Sequence, residues 1–392
     1  MSARPQRVVI VGAGIVGLST AYALLSQGVK QVTVLEQAVV DHNGSTSHGN
    51  SRLLRFEYGS DAFYSQMVGL SLKRWQRLEH ISKRTLCTPT GILAIGAEGD
   101  SFTQGSLRVL RESGLPIERL NKQQCNYRFP QFSVRGTDII TYNAAGAILH
   151  ASTCLQTLKD LVIVLGGTIH ESCRVTHISH DSQARPIRIY TSTSNEFTAE
   201  RVVLATGPWV HRLLAEIHLP VSLTCQYLLY FAGLPLSSFG LNAFPAFMAH
   251  ELYGFPIHYS TSHTYRSFWL KASTHAFGPP TDPDNVQQPD RLAIERIVQQ
   301  LRSLLPALAQ ARLSHIDTGM YDVTPDEGFI LDTLEHDPRV VYATGLSGHG
   351  FKFGLLLGEL LSSLVCNTPP PVPLERFCAA RFASQQQVSS VA

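Results

Sequence analysis

The chain has 392 residues, 44% of them hydrophobic and 16% charged. This composition excludes a disordered chain, and the length exceeds one ordinary core, so two domains are expected. The formal net charge is only +2, with acidic and basic residues interspersed, which excludes a basic field for nucleic acid and a polybasic membrane patch.

Seven cysteines, Cys87, Cys125, Cys154, Cys173, Cys225, Cys366 and Cys378, are scattered and form no CxxC pair. An odd set without pattern points to buried thiols in a reducing compartment, not to a disulfide framework or a zinc site. The sixteen histidines show no HExxH or comparable spacing, so no metal is expected. The opening MSARPQR is short and polar, and the apolar stretch after it is cut by glycines. Neither a signal peptide nor a membrane span is expected. A soluble cytoplasmic monomer is the expectation.

Taken in chain order, residues Arg7 to Leu35 read as one βαβ unit. Val8-Val9-Ile10-Val11 is a β-branched run suited to a strand buried on both faces. A helix is predicted from Ile15 to Ser26, stopped by Gly28, and Val32 to Leu35 forms the second strand. Asp41 to Asn50 is small and polar, hence a loop, and Leu70 to Ile81 has helical apolar spacing. Residues from about 216 to 275 alternate and are rich in Tyr, Phe and Thr, which predicts antiparallel strands. Phe277 to Asp290 reads as a loop and Arg291 to Leu305 as a helix. Arg201 to Gly207 and Val340 to Gly345 each form a strand running into a glycine turn. With the first such junction, they suggest a nucleotide domain assembled from separated segments. A proline cluster follows Asn367, and the Gln/Ser-rich last ten residues are expected to fray.

Gly12-Ala13-Gly14-Ile15-Val16-Gly17 is a GxGxxG element between a strand and a helix, the context that gives this pattern meaning. Gly12 permits the tight turn, Gly14 the approach of a pyrophosphate, and Gly17 close helix packing. The helix N-terminus then offers free N–H groups to phosphates. Glu36, nineteen residues past Gly17, ends the second strand, where a carboxylate accepts ribose hydroxyls. NAD and FAD share this element. The later chain favours FAD. It leaves the nucleotide fold early and returns late, ending in Gly345-Leu346-Ser347-Gly348-His349-Gly350 before a predicted helix from Phe351 to Leu364. A second helix N-terminus near the dinucleotide suits the flavin edge that becomes anionic on reduction.

Four cations need an explanation. Lys352 lies in the predicted first turn of that last helix, where the dipole disfavours it. It is either a snorkelled surface lysine or the answer to a bound anion. Arg52 and Arg55 interrupt an apolar run and share a face if the segment is helical. An exposed charged face is the bland alternative. Lys271 sits in the apolar Phe268-Trp269-Leu270-Lys271-Ala272, with His275 on the same strand face, unless it merely guards a sheet edge. Tyr227, Tyr230, Phe244, Phe247, Tyr259 and Trp269 either line an aromatic pocket or, more in keeping with their pattern, form the core of the substrate sheet.

Ser47-His48-Gly49-Asn50-Ser51-Arg52-Leu53-Leu54-Arg55 with Tyr58-Gly59, then Tyr253-Gly254-Phe255-Pro256, Met320-Tyr321 with Thr324-Pro325-Asp326-Glu327, and Ser347-Gly348-His349-Gly350-Phe351-Lys352-Phe353 carry a resemblance to the monomeric sarcosine oxidase and N-methyltryptophan oxidase family, within the wider D-amino-acid-oxidase-like FAD-dependent oxidoreductases. It covers nearly the whole chain. It implies an α/β fold: a Rossmann-type FAD-binding domain plus a substrate domain with a mostly antiparallel sheet. The expected FAD domain takes residues 1–80, 145–215 and 315–392, and the substrate domain 81–144 and 216–314.

The resemblance implies oxidation of a secondary or N-methyl amino acid to an imine, which hydrolyses, with dioxygen returning as hydrogen peroxide. Arg55 and Lys352 resemble the pair that grips the substrate carboxylate, and Arg52 the arginine beside the flavin. Lys271 resembles the lysine where oxygen reacts. His275 and Tyr321 match the histidine and tyrosine at the substrate. Gly12, Gly14, Ile15, Val16, Gly17, Glu36, Gln37, Ser47, His48, Arg52, Val175, Thr206, Gly207, Trp209, Gly319, Gly345, Gly348, His349, Gly350 and Lys352 are the implied cofactor contacts. Two departures stand out. Gly319 replaces the cysteine that carries the flavin through a thioether in the family pattern, which implies non-covalent FAD and a lower redox potential. Asn50 stands where the family commonly has Asp. The alternatives are a dehydrogenase with another electron acceptor, a tailoring enzyme for a larger amine, and a flavin-binding subunit without turnover.

Overall fold

The first strand, Arg7–Val11, lies inside a six-stranded sheet because its continuous apolar run has to be covered on both faces. The strands run in the order Ile330–Thr333, Val340–Thr344, Arg201–Leu204, Arg7–Val11, Gln31–Leu35, Thr168–His170. All neighbours are parallel except the Ile330–Thr333 edge. The computed structural model describes residues 5–179, 186–215, 217–259, 268–286 and 288–383. The polar first residues and the Gln/Ser-rich tail expected to fray fall outside them, apart from residues 5–7 and 383.

A second, eight-stranded sheet carries the alternating segments. Its order is Arg312–Val323, Ser222–Ala232, Leu270–Thr274, Leu252–Gly254, Ala246–Ala249, Ile92–Gly96, Ile139–Asn143, Ile117–Leu120. Seven neighbour pairs result, and the only parallel one joins Ala246–Ala249 to Ile92–Gly96. Arg312–Val323 spans the expected domain border at 315 and pairs along its length with Ser222–Ala232. A small sheet of Ser51–Leu54, Ala147–His150 and Cys87–Pro89 joins segments assigned to both domains. A three-stranded antiparallel sheet spans Val175 to Ala199.

Two helices set the site. Ile15–Ser26 packs against Gly354–Cys366 with almost no space between them. A Cβ on Gly354 would lie 2.4 Å from Ile15 Cγ1, and one on Gly358 2.4 Å from the Ser19 carbonyl carbon. Because 354 meets 15 and 358 meets 19, the helices are parallel and their N-termini lie at the same end. The last helix differs in detail from the expected Phe351–Leu364. A 3-10 turn covers Phe351–Phe353 and the α-helix begins at Gly354, so Lys352 sits ahead of the α-helix and not in its first turn. The expected helix at 70–81 is longer, Ala62–Ser82, since Asp61 caps it by accepting from Tyr64 N. Its apolar face buries Met67, Val68, Trp75 and Leu78.

Arg52 lies in the strand Ser51–Leu54 and Arg55 follows directly after its end, so the two do not share a helical face. That separates them into different corners of the site.

Candidate active site

One cavity of about 1140 Å³ is lined by the glycine turn, by the small sheet and by the eight-stranded sheet. At the glycine turn, Gly12 has φ +101, and a Cβ there would lie 2.4 Å from Ala205 O. A Cβ on Gly17 would meet Gly12 O at 1.8 Å, so only glycine lets the helix start this close to the turn. Glu36 is buried and accepts from Ala13 N at 2.8 Å and from Ala38 N at 3.0 Å. It braces the turn as well as ending the second strand. Ser47 Oγ accepts from Ile15 N at 3.0 Å and caps the helix N-terminus from outside. Thr206 Oγ1, also on the cavity, is buried without a hydrogen-bond partner among the described residues.

Among the expected cofactor contacts, Gly12, Gly14, Ile15, Val16, Glu36, Gln37, Ser47, Arg52, Val175, Thr206, Gly207, Trp209, Gly319, Gly348, His349, Gly350 and Lys352 line this cavity. Gly17, His48 and Gly345 stand behind its wall. His48 Nδ1 pairs with Asp41, and Gly345 N donates to Asp322 Oδ2 at 2.7 Å. Arg55, Lys271, His275 and Tyr321 line the same space.

The four cations form two corners. In the first, Arg52 donates to the carbonyls of Thr46, His48 and Ser51 at 2.9, 2.6 and 3.0 Å. Lys271, 4% exposed, donates to Ser51 O at 3.3 Å and faces the Phe255 ring at 5.2 Å. Both reach the space beside Gly49, where a Cβ would lie 3.3 Å from Arg52 Nη1 and 4.0 Å from Lys271 Nζ.

In the second corner, Arg55 donates to Glu57 O and lays its guanidinium over the Tyr58 ring at 4.5 Å. Lys352 Nζ donates to Tyr58 Oη at 2.8 Å and His349 O at 2.9 Å. Trp75 Nε1 donates to Lys352 O at 2.8 Å and holds the turn from below. Arg55 is 7% and Lys352 3% exposed, and neither makes an ion pair among the described residues. Burial, then the Arg55 charge, pulls the Lys352 ammonium well below its ordinary range.

His275 and Tyr321 bridge the corners, their rings 6.0 Å apart. Gly348, at φ +75, leaves room for Tyr321; a Cβ would meet its ring at 2.5 Å. Burial, helped by Arg55 and Lys352, pulls His275 down to about 4, so it is neutral at neutral pH. Burial pushes the Tyr321 phenol up. A Cβ at Gly319 would have nothing nearer than Leu228 Cδ1 at 3.9 Å. No cysteine is among the described residues that line the cavity.

Sequence reasoning assigned no site role to Phe102, Tyr253 or Phe255, which line the cavity, or to Tyr58, which receives both cations of the second corner. None of the six aromatics weighed as a pocket is on the wall. Tyr227, Phe244 and Phe247 lie in the core of the substrate sheet, as the favoured reading had it.

A glycine turn cradling a helix N-terminus, an acid bracing it and an orphaned threonine hydroxyl fit a dinucleotide, and the second helix N-terminus alongside fits a flavin. The chain belongs to the FAD-dependent oxidoreductase family, whose model matches residues 7–364. It is 30% identical over 388 residues to the peroxisomal sarcosine oxidase of Mus musculus, with 96% of each chain covered. It is 29% identical over 384 residues to the N-methyl-L-tryptophan oxidase of Yersinia pestis, covering 96% of this chain and 99% of that one. The fold also matches the crystal structure of L-proline dehydrogenase from P. horikoshii, with a TM-score of 0.83 at 18% identity over 98% of this chain and 99% of that one. No helix among the described residues is long and apolar enough to cross a membrane.

Proposed function

We propose that the protein oxidises a secondary or N-methyl amino acid at the C–H next to nitrogen, with non-covalent FAD and with dioxygen as final acceptor. The amine loses two electrons and two protons, giving an imine that water splits to an aldehyde and an amine. Dioxygen takes the electrons and protons as hydrogen peroxide. The observation that carries this reading is the second corner: Arg55 and Lys352 are buried on the cavity wall with no ion pair among the described residues. Two such cations are costly to bury unless an anion completes them, and an amino-acid carboxylate does so. The sarcosine and N-methyl-L-tryptophan named for the two relatives both carry that group.

FAD, when bound, supplies the acceptor for the hydride equivalent. Arg55 and Lys352 fix the carboxylate and with it the direction of the reacting C–H bond. Their charge also disfavours an ammonium nearby, so the amine sheds its proton to solvent and keeps a free lone pair. Neutral His275 and Tyr321 add no competing charge. Arg52 stands on the cofactor side, and Lys271 serves the oxygen step by stabilising developing negative charge in a dry site. Gly319 and a wall that holds no cysteine among the described residues support non-covalent attachment. Seven free thiols, six of them buried, fit a reducing compartment such as the cytoplasm.

The test is an anaerobic screen of N-methyl and cyclic amino acids that follows loss of flavin absorbance. Rapid bleaching by at least one N-alkyl amino acid, and none by the matching amine without a carboxylate, is expected. Equal bleaching by both would contradict the assigned grip, and no bleaching by any amino acid would favour a subunit without turnover.

A further inference from the structure

Lys352 donates to the phenol of Tyr58, and that phenol has a second partner. Tyr58 Oη lies 3.2 Å from His349 Nδ1, and His349 Nε2 lies 3.0 Å from the carbonyl oxygen of Glu327. The result is one row: Lys352 Nζ, Tyr58 Oη, the His349 ring and Glu327 O. Donor and acceptor roles along it are fixed from the far end. A carbonyl oxygen only accepts, so His349 Nε2 carries the ring proton. In a neutral ring Nδ1 is then the acceptor, and the Tyr58 hydroxyl donates to it. With its single proton committed there, Tyr58 Oη meets Lys352 as an acceptor, at 2.8 Å. Burial, then the Lys352 charge, pulls His349 well below its ordinary range, in keeping with a neutral ring.

The row is held by its surroundings. The His349 ring packs on Phe329 at 4.7 Å and on Tyr64 at 5.4 Å, and Tyr58 stacks on Tyr64 at 5.1 Å. Arg381 fixes the turn that offers Glu327 O, donating to Asp326 Oδ2 at 2.8 Å and to Gly328 O at 2.9 Å. At the other end, Lys352 Nζ gives one N–H to Tyr58 and a second to His349 O at 2.9 Å. An ammonium has three, and Lys352 lines the cavity, so the two fixed bonds leave the third N–H for a ligand. A hydroxyl that donates to an imidazole is also the better acceptor, which favours the charged form of Lys352.

We propose that Tyr58 and His349 are positioning residues of the carboxylate grip. His349 orients the Tyr58 hydroxyl, Tyr58 orients the Lys352 ammonium, and the third N–H is thereby held for the carboxylate. This rests on the reading of Arg55 and Lys352 as that grip. Tyr58 plays its part without substrate contact, since it is not among the residues that line the cavity.

The test uses the FAD-loaded protein and two unreactive probes, phenylacetate and the neutral phenylacetamide, with dissociation constants read from the perturbed flavin spectrum. Tyr58→Phe keeps the ring under the Arg55 guanidinium and removes only the hydroxyl. It is expected to bind phenylacetate about tenfold more weakly than wild type, the size of a single hydrogen bond to a charged group. Phenylacetamide binding should stay within about twofold, because the loss is one of charge placement and not of shape. His349→Leu, which removes the acceptor of the Tyr58 proton, should weaken phenylacetate in the same direction. His349→Asn carries an amide oxygen near the place of Nδ1 and should restore most of the affinity. Wild-type phenylacetate affinity in Tyr58→Phe overturns the proposal. Equal weakening of both probes, or loss of FAD from Tyr58→Phe, gives the hydroxyl a structural role only and overturns it as well. Indistinguishable phenylacetate binding by His349→Leu and His349→Asn removes His349 from the row. If wild type shows no preference for phenylacetate over phenylacetamide, the grip itself fails, an outcome separate from all of these.

Discussion

The two cationic corners contain the same residue types, one arginine and one lysine each, yet they are built differently. Arg52 gives three hydrogen bonds to carbonyls of its own loop and strand, and Lys271 points at one of the same carbonyls. Those contacts tie the charges to the backbone dipoles around Gly49. Arg55 makes a single side-chain hydrogen bond among the described residues and otherwise rests on ring faces, Tyr58 at 4.5 Å and Phe102 at 5.8 Å. A guanidinium has five N–H donors, so Arg55 keeps most of them for a ligand while the rings hold its plane. Lys352 is held by a phenol and a carbonyl at the mouth of a 3-10 turn. The contrast separates a corner whose charges are tied to backbone carbonyls from one whose charges rest mainly on ring faces and a phenol, as the proposed anion grip requires.

The largest effect expected is all or none. With Gly319 on the cavity wall and no cysteine there among the described residues, acid or heat should release all the FAD into the supernatant. Flavin that stays with the precipitated chain would show a covalent link. Next in size is the second corner. Lys352→Met and Arg55→Met should each raise the dissociation constant of a carboxylate probe by one to a few powers of ten. A charge-assisted hydrogen bond in a desolvated site is worth roughly 1.5–3 kcal/mol. FAD content should stay nearly unchanged, and Lys271→Met should leave carboxylate affinity within about twofold, as for a charge that makes no ligand contact. Probe binding unaffected by either second-corner change would erase the distinction between the corners.

The smallest effect is on stability. Burial pulls His275 and His150 down to about 4 from an ordinary 6.5. Their folded pKa lies below the unfolded one, so the stability they allow is complete above the unfolded value. It is lost as pH falls from 6.5 toward 4, because the unfolded chain binds protons that the folded one refuses. The melting temperature should therefore drop over that interval, and His275→Gln should flatten the drop. An unchanged slope in that variant would mean that His275 is not held neutral.

Much of this was legible in the sequence. The run Val8 to Val11 and its glycine turn need no partner from elsewhere to be read, since strand, turn and helix are contiguous. Arg55, Lys352, Lys271 and His275 stand out from their sequence context, Tyr321 through the resemblance alone, and all five line one cavity. What stayed hidden was tertiary. Alternation cannot say that Ala246–Ala249 pairs parallel with Ile92–Gly96 across more than a hundred residues. The spacing of Arg52 and Arg55 permitted a shared helical face until strand pairing with Ala147–His150 decided against it. Glu57 reads as an ordinary polar residue, because only burial beside Asn143 makes its carboxyl unusual. The six candidate aromatics misdirect for the opposite reason: aromatic enrichment marks a sheet core as readily as a pocket.

The measurement closest to the central claim is stopped-flow kinetics of the two half-reactions in Lys271→Met and Lys352→Met. Flavin bleaching by the amino acid is followed without oxygen, and recovery of the flavin is followed with it. An interior cation beside a developing anion contributes several kcal/mol, so Lys271→Met should slow recovery by about a hundredfold or more and leave bleaching largely intact. Lys352→Met should weaken substrate binding in the bleaching step and leave recovery near that of wild type. Equal slowing of both steps in both variants would mean that the two corners are one structural unit. Sluggish recovery in air by the wild type would make the dehydrogenase alternative the better account.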